Sequence, residues 1–375
     1  MDPILTASST HPNPQEAAAE LAAVLLAQGL PSLVVIYASP EHDRAQLASA
    51  LSEAFPGTPL IGCTTAGEIG PDGLLTGGLS GVALARQHFE VATVLLEEVR
   101  AFGQKACREA IGSLRGRLTD KGESFAYLLV DGLSVREEGI VAGLYHALGA
   151  TPLFGGSAGD GLEFGSTWIL HDGRFHKDAA VVALVHTELP FHVFKSQHFQ
   201  ATGERMVVTE ANPATRIVTE INGGPAAEEY ARAVGLELEQ LDPQVFSMHP
   251  VVVRVGGSEF VRSIQQVNPD GSLTFFCAIE TGVVLTVSTG VGLVENLESA
   301  LGAAREVVGD LAGVIGCDCI LRRLEIEAKG LEDAVNELVR ENRIVGFSTY
   351  GEQYNAMHVN QTFTGVAIGL GGSDS

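Results

Sequence analysis

The chain has 375 residues, of which 45% are hydrophobic and 18% charged, and a formal net charge of −23. Those values describe a globular protein with a large core. They exclude a nucleic-acid or anionic-membrane surface, since no basic stripe or helix-turn-helix signature offsets the negative field.

No apolar run reaches the roughly 18 residues a spanning helix needs, and the first residues lack the basic and apolar regions of a signal peptide, so the expected location is cytoplasmic. Five cysteines at irregular spacing argue for a reducing compartment rather than a disulfide framework. Cys317 and Cys319 share one face of a predicted strand and read as small buried residues, because no second pair stands at zinc-ligand spacing.

Residues 1–14 carry three prolines among Ser and Thr and read as a flexible lead-in. Residues 15–220 read as a first domain of two repeat units, and 221–370 as a second domain. In the first unit, helical spacing at Leu21, Val24 and Leu25 precedes the β run Leu33–Ile36. A helix marked by Leu47, Leu51 and Ala54 and a short strand Pro59–Ile61 then lead into Gly62-Cys63-Thr64-Thr65-Ala66-Gly67-Glu68. The second unit repeats this with Ile111, Leu114 and Leu118, the run Phe125–Leu129, the helix of Ile140, Leu144 and Leu148, and Gly155-Gly156-Ser157-Ala158-Gly159-Asp160. His171-Asp172-Gly173-Arg174 predicts a hairpin turn, because Asp-Gly supplies positive φ. Around Asn222-Gly223-Gly224-Pro225 the second domain begins with a short helix. Four β runs follow (251–255, 260–267, 273–279 and 283–288), with a strong turn signal at Asn268-Pro269-Asp270-Gly271, and predict an antiparallel meander.

The third unit has a helix of Leu297, Leu301, Val308 and Leu311 and a β run Cys317–Leu321. A helix of Leu331, Val335 and Leu338 then leads into Gly346-Phe347-Ser348-Thr349-Tyr350-Gly351-Glu352. The β run starts 34 residues before the second loop glycine in all three units (67 − 33, 159 − 125, 351 − 317). The fold class is therefore α/β, a layered sheet-and-helix architecture built from three α-β-α-β-loop-β units plus a β meander.

Each glycine-rich loop follows a strand, so freed backbone N–H groups and the hydroxyls of Thr64, Thr65, Ser348 and Thr349 are placed to take a carboxylate. Gly67 and Gly351 allow the tight turn, and Glu68 and Glu352 suit an ammonium or hydroxyl group. An amino-acid-like metabolite fits that set. The competing reading is structural, with glycines for positive φ and hydroxyls satisfying local backbone. Cys63, at a strand-to-loop turn, raises a cysteine-dependent enzyme as an alternative, but neither His42 nor His88 stands at a supporting spacing. No catalysis is expected.

The Gly-Glu loops, the Asn222-to-Tyr230 stretch and Asn360-Gln361-Thr362-Phe363-Thr364 together resemble the FIST (F-box and intracellular signal transduction) family, over nearly the whole chain. The resemblance implies a bacterial sensory module that binds a small ligand and signals through a separate or fused effector. Cys317 to Glu325, Thr349 to Gln353 and Met357 to Thr364 are similar to the stand-alone branch that binds haem, senses nitric oxide and regulates histidine kinases. That branch implies an axial histidine. His198, His249 and His358 have the richest surroundings of the 11 histidines, and a porphyrin requires one in an apolar cleft.

Overall fold

The structure, a computed structural model, describes residues 2–119, 122–255 and 257–371. The first unit runs β1 (Ile4–Ser9), α1 (Pro14–Leu25), β2 (Leu33–Ala38), α2 (Arg44–Ala54), β3 (Leu60–Thr64), the hairpin β4 (Glu68–Gly70) and β5 (Gly73–Leu75), and β6 (Leu79–Leu84). Asn13 caps α1 by accepting from the N–H groups of Gln15 and Glu16, and Pro14 supplies the first helical position. The second unit repeats the order in β7 (Phe89–Glu97), α3 (Gln104–Arg115), β8 (Glu123–Val130), α4 (Glu137–Leu148), β9 (Leu153–Ser157), the hairpin β10 (Ile169–His171) and β11 (Arg174–His176), and β12 (Ala179–Thr187).

The third unit opens with β13 (Phe191–Ser196) and is then interrupted. The insertion holds β14 (Phe199–Asn212), β15 (Ile217–Ile221), β16 (Gly224–Pro225), α5 (Ala226–Val234), α6 (Pro243–Met248), β17 (Val251–Val255), β18 (Ser258–Arg262), β19 (Ile264–Val267), β20 (Leu273–Phe275) and β21 (Val284–Gly290). The unit resumes with α7 (Leu293–Val308), β22 (Leu311–Cys319), α8 (Ile320–Lys329), α9 (Glu332–Glu341), β23 (Ile344–Thr349), the hairpin β24 (Glu352–Tyr354) and β25 (Met357–Val359), and β26 (Phe363–Gly369).

The three units exchange their hairpins in a ring. The sheet orders are β1-β6-β2-β3-β10-β11, β7-β12-β8-β9-β24-β25 and β13-β26-β22-β23-β4-β5. Each unit thus extends its sheet with a neighbour's hairpin, and none is complete alone. One face of each sheet meets the other two in a shared core, where Tyr37 stacks on Phe347 at 4.9 Å and Tyr127 on Phe154 at 4.6 Å. The two tyrosine hydroxyls hydrogen-bond at 2.8 Å, which satisfies polar groups that water cannot reach. The outer faces lie under α1 and α2, under α3 and α4, and under α7 and α9. Buried on both faces, the inner strands read as continuous apolar runs.

Five sequence expectations change. Residues 4–9, expected in a flexible lead-in, form β1, because Ile4 and Ala7 enter the core while the backbone pairs with β6. β14 and β15, read as part of the second unit, pair with strands that follow residue 221 and not with that unit's sheet. The four later runs are not a simple meander: the sheet order is β18-β17-β21-β14-β15-β20-β19, with β21 between β17 and β14. Ile320 and Leu321, read as strand, open α8, whose insertion makes the common 34-residue spacing of the third unit coincidental. The second loop also shifts by one residue. Gly62, Gly155 and Gly346 are equivalent, since each faces a carbonyl of the adjacent parallel strand so closely that a Cβ would lie 1.9–2.1 Å from its oxygen.

Candidate functional site

The ends of β3, β9 and β23 meet at one end of the shared core, and the glycine-rich loops bind one another. The Ala66 N–H donates to the Ser348 carbonyl (2.9 Å), the Ser348 N–H to Gly67 (2.7 Å), the Ser157 N–H to Gly351 (2.9 Å), and the Gly159 N–H to Thr64 (3.0 Å). These are donors that a bound carboxylate was expected to take. The glutamates are likewise engaged. Glu68 accepts from the Thr65 hydroxyl and from the Gly78 N–H at 3.2 Å. Glu352 repeats the pattern, accepting from the Thr349 hydroxyl at 2.7 Å and the Thr362 N–H at 3.1 Å. In both cases the partners lie three residues before and ten after. The Thr64 hydroxyl accepts from the Trp168 N–H, and Ser348 Oγ is buried without a partner among the described residues.

Register explains the pattern. Glu68 lies opposite Phe347, Glu352 opposite Gly156, and Ile169 opposite Cys63, so Ile169 occupies the glutamate position of the exchanged hairpin from the second unit. The N–H preceding the last strand still receives a carboxylate there, from Asp131 to Asp178 N–H at 2.7 Å. A buried carboxylate therefore braces each of the three units. Burial is the largest influence on the two glutamates and raises Glu68 to about 7 and Glu352 to about 8, with the donated hydrogen bonds opposing it. Glu68 and Glu352, expected as ligand-facing groups, are wholly buried and bonded to their own chain. Gly67 has φ +128°, whereas Gly351 is required by close approach, a Cβ there lying 2.3 Å from the His358 ring.

Two of the three candidate histidines do not fit an axial ligand. His198 is buried, accepts from Arg322 Nη1 at 3.1 Å and donates to Glu325 at 2.8 Å. His358 is buried, accepts from Gln353 at 3.3 Å and donates to the Phe276 carbonyl at 3.2 Å. Burial lowers the affinity of both rings for a second proton. His249, half-buried at the end of α6, has no side-chain hydrogen bond among the described residues. The Cys63 thiol is fully buried and pushed well above its ordinary range, chiefly by desolvation, which opposes formation of a thiolate nucleophile. The other four cysteines are also buried and unpaired.

Among known protein families, the FIST N domain matches residues 32–224 and the FIST C domain matches residues 226–355. The chain belongs to the FIST family. Comparison with curated proteins returns no match. FIST domains are associated with signal transduction and the sensing of small ligands. Among the described residues, no helix is long and apolar enough to cross a membrane.

In this FIST protein the inserted β domain meets the three-unit core through a buried ionic junction. Arg216, from the turn between β14 and β15, pairs with Glu137 at 2.5 Å and Glu138 at 2.7 Å, and donates to the Phe276 carbonyl at 2.7 Å. Glu138 accepts from the Ala278 N–H at 2.9 Å. Burial opposes both charges, yet Glu137 and then Glu138 raise Arg216, while His358 and then Arg216 hold Glu138 at about 2. The segment bonded here, 276–278, continues directly into the wall of a cavity of about 800 Å³ formed by β14, β17, β18 and β21. That wall is about half apolar and carries Arg205, Arg254 and Arg262 beside Glu259 and Glu280, with no histidine among the described residues that line it. Nothing in the sequence groups these arginines, which stand singly on three different strands.

Proposed function

We propose that the protein is a sensor whose small-ligand state is read by a partner signalling protein, with a histidine kinase as the partner class. The observation that carries this reading is the junction of Arg216 with Glu137 and Glu138. We take this junction, costly to break because it is buried, to be made in one signalling condition and broken in the other. A ligand that prefers one of them shifts the population that a partner meets. The ligand class favoured by the site chemistry is a metal-free metabolite, an amino acid or a related organic acid. Support comes from the engaged rings of His198 and His358 and from a cavity with arginines and no histidine.

The test is autophosphorylation of the histidine kinases of the source cell, with wild type and with Glu138→Gln. A kinase whose rate changes at least about twofold with wild type and not with the variant supports the reading. Indifference of every kinase to the wild-type protein overturns it.

A second reading, haem-based nitric oxide sensing, rests on His249, whose ring is not engaged. Haem bound at that ring would supply a coordination change on nitric oxide binding. Titration with haem should then give a sharp Soret band that His249→Ala loses. No band in wild type removes the haem reading and leaves the metabolite reading.

A further inference from the structure

We infer that the cavity of the inserted domain is the binding site for a small organic anion, a carboxylate joined to an apolar body. The inference rests on the small-ligand reading above and names the site and the chemistry it selects. Three observations carry it. Its volume, about 800 Å³, is that of a site for a small molecule rather than for a single ion. Its wall is lined by Val252, Val253 and Ile279, side chains that reward contact with an apolar body.

The third observation is the state of the cations. Arg254 is already neutralised by Glu259 at 2.6 Å. Arg205 and Arg262 form no ion pair among the described residues, and the one side-chain bond of Arg262 goes to the carbonyl of its neighbour Val261. A guanidinium presents a planar fork of donors that matches a carboxylate. With Arg254 cancelled by Glu259 and one further carboxylate, Glu280, on the same wall, these two forks still leave the cavity net positive in a protein of net charge −23, which draws in an anion otherwise repelled. Inorganic phosphate satisfies the arginines but leaves the wall wet, and a neutral alcohol does the opposite, so the site selects a molecule with both parts. The same wall continues through Ala278 to Glu138, so a bound anion lies one segment from the junction.

The test is isothermal titration calorimetry with octanoate as the probe, compared with 1-octanol and with inorganic phosphate. Wild type should bind octanoate with a Kd below about 1 mM, and the alcohol and phosphate at least tenfold more weakly. Arg205→Gln and Arg262→Gln should each weaken octanoate at least tenfold while keeping the wild-type circular dichroism spectrum and urea midpoint. Absence of octanoate binding to wild type, equal binding of 1-octanol, or full binding by both folded variants overturns the assignment. Because the readout is binding and not kinase activity, a failure here with the kinase effect intact removes this site and leaves the sensor reading standing.

Discussion

The three-unit core and the inserted β domain use polar groups in opposite ways. In the core, Glu68, Glu352 and Asp131 each brace the strand that closes a unit, and the glycine-rich loops spend their N–H groups on one another. In the inserted domain, Arg205 and Arg262 face a cavity with no carboxylate bound to them among the described residues. A motif repeated three times around a ring marks what the ring needs to close, and the unrepeated insertion is where a ligand finds unsatisfied groups.

The sharpest way to break this contrast is at the core glycines. Gly346→Ala places a Cβ 1.9 Å from the Gly316 carbonyl oxygen, between two strands that cannot separate. A loss of at least about 4 kcal/mol, or failure to fold, is expected from urea denaturation. Arg216→Met should cost about 3–5 kcal/mol by stranding the buried Glu137 carboxylate. Gly67→Ala, with φ +128° but neighbours no closer than 3.4 Å, should cost about 1 kcal/mol. If Gly67→Ala proves as damaging as Gly346→Ala, close packing is not what distinguishes the two sites.

The contrast also has a pH signature. Glu352 and Glu68 hold their protons to about 8 and about 7 in the folded protein, while an unfolded glutamate releases its proton near 4.3. Between those limits the native state binds more protons, so these groups make stability fall as pH rises through about 4.5 to 8. Thermal unfolding of Glu352→Gln should show a flatter decline over that window than wild type. A slope equal to that of wild type would mean that the carboxylate is already ionised in the fold. The smallest expected effect is on stability in the inserted domain: Arg262→Gln should stay within about 0.5 kcal/mol of wild type while losing octanoate.

Much of the core was legible because its signals are local. The helical spacing of Leu47 and Leu51, of Ile140 and Leu144, and of Val335 and Leu338 marks faces that do pack on the sheets. The Asp172-Gly173 turn forms as its composition dictates, with both residues at positive φ. What stayed hidden is non-local. Nothing near Glu68 announces that β4 pairs with β23, more than 270 residues away (346 − 69 = 277). Without that exchange the carboxylate looks free for a ligand. His198 misled for the same reason, since its partners Arg322 and Glu325 come from α8, a helix that the apolar run Cys317–Leu321 disguised as strand. The cavity was missed because its arginines are brought together by the sheet order and not by sequence spacing.

Hydrogen–deuterium exchange of the wild-type protein with and without saturating octanoate tests most directly where the ligand acts. Protection should rise in residues 252–254, 259–262 and 278–286, along the cavity wall, and at the start of α4 across the Glu138 bond. Protection confined to the loops at 64–68 and 348–352, with the inserted domain unchanged, would return the ligand to the glycine-rich loops and contradict the division of roles between core and insertion.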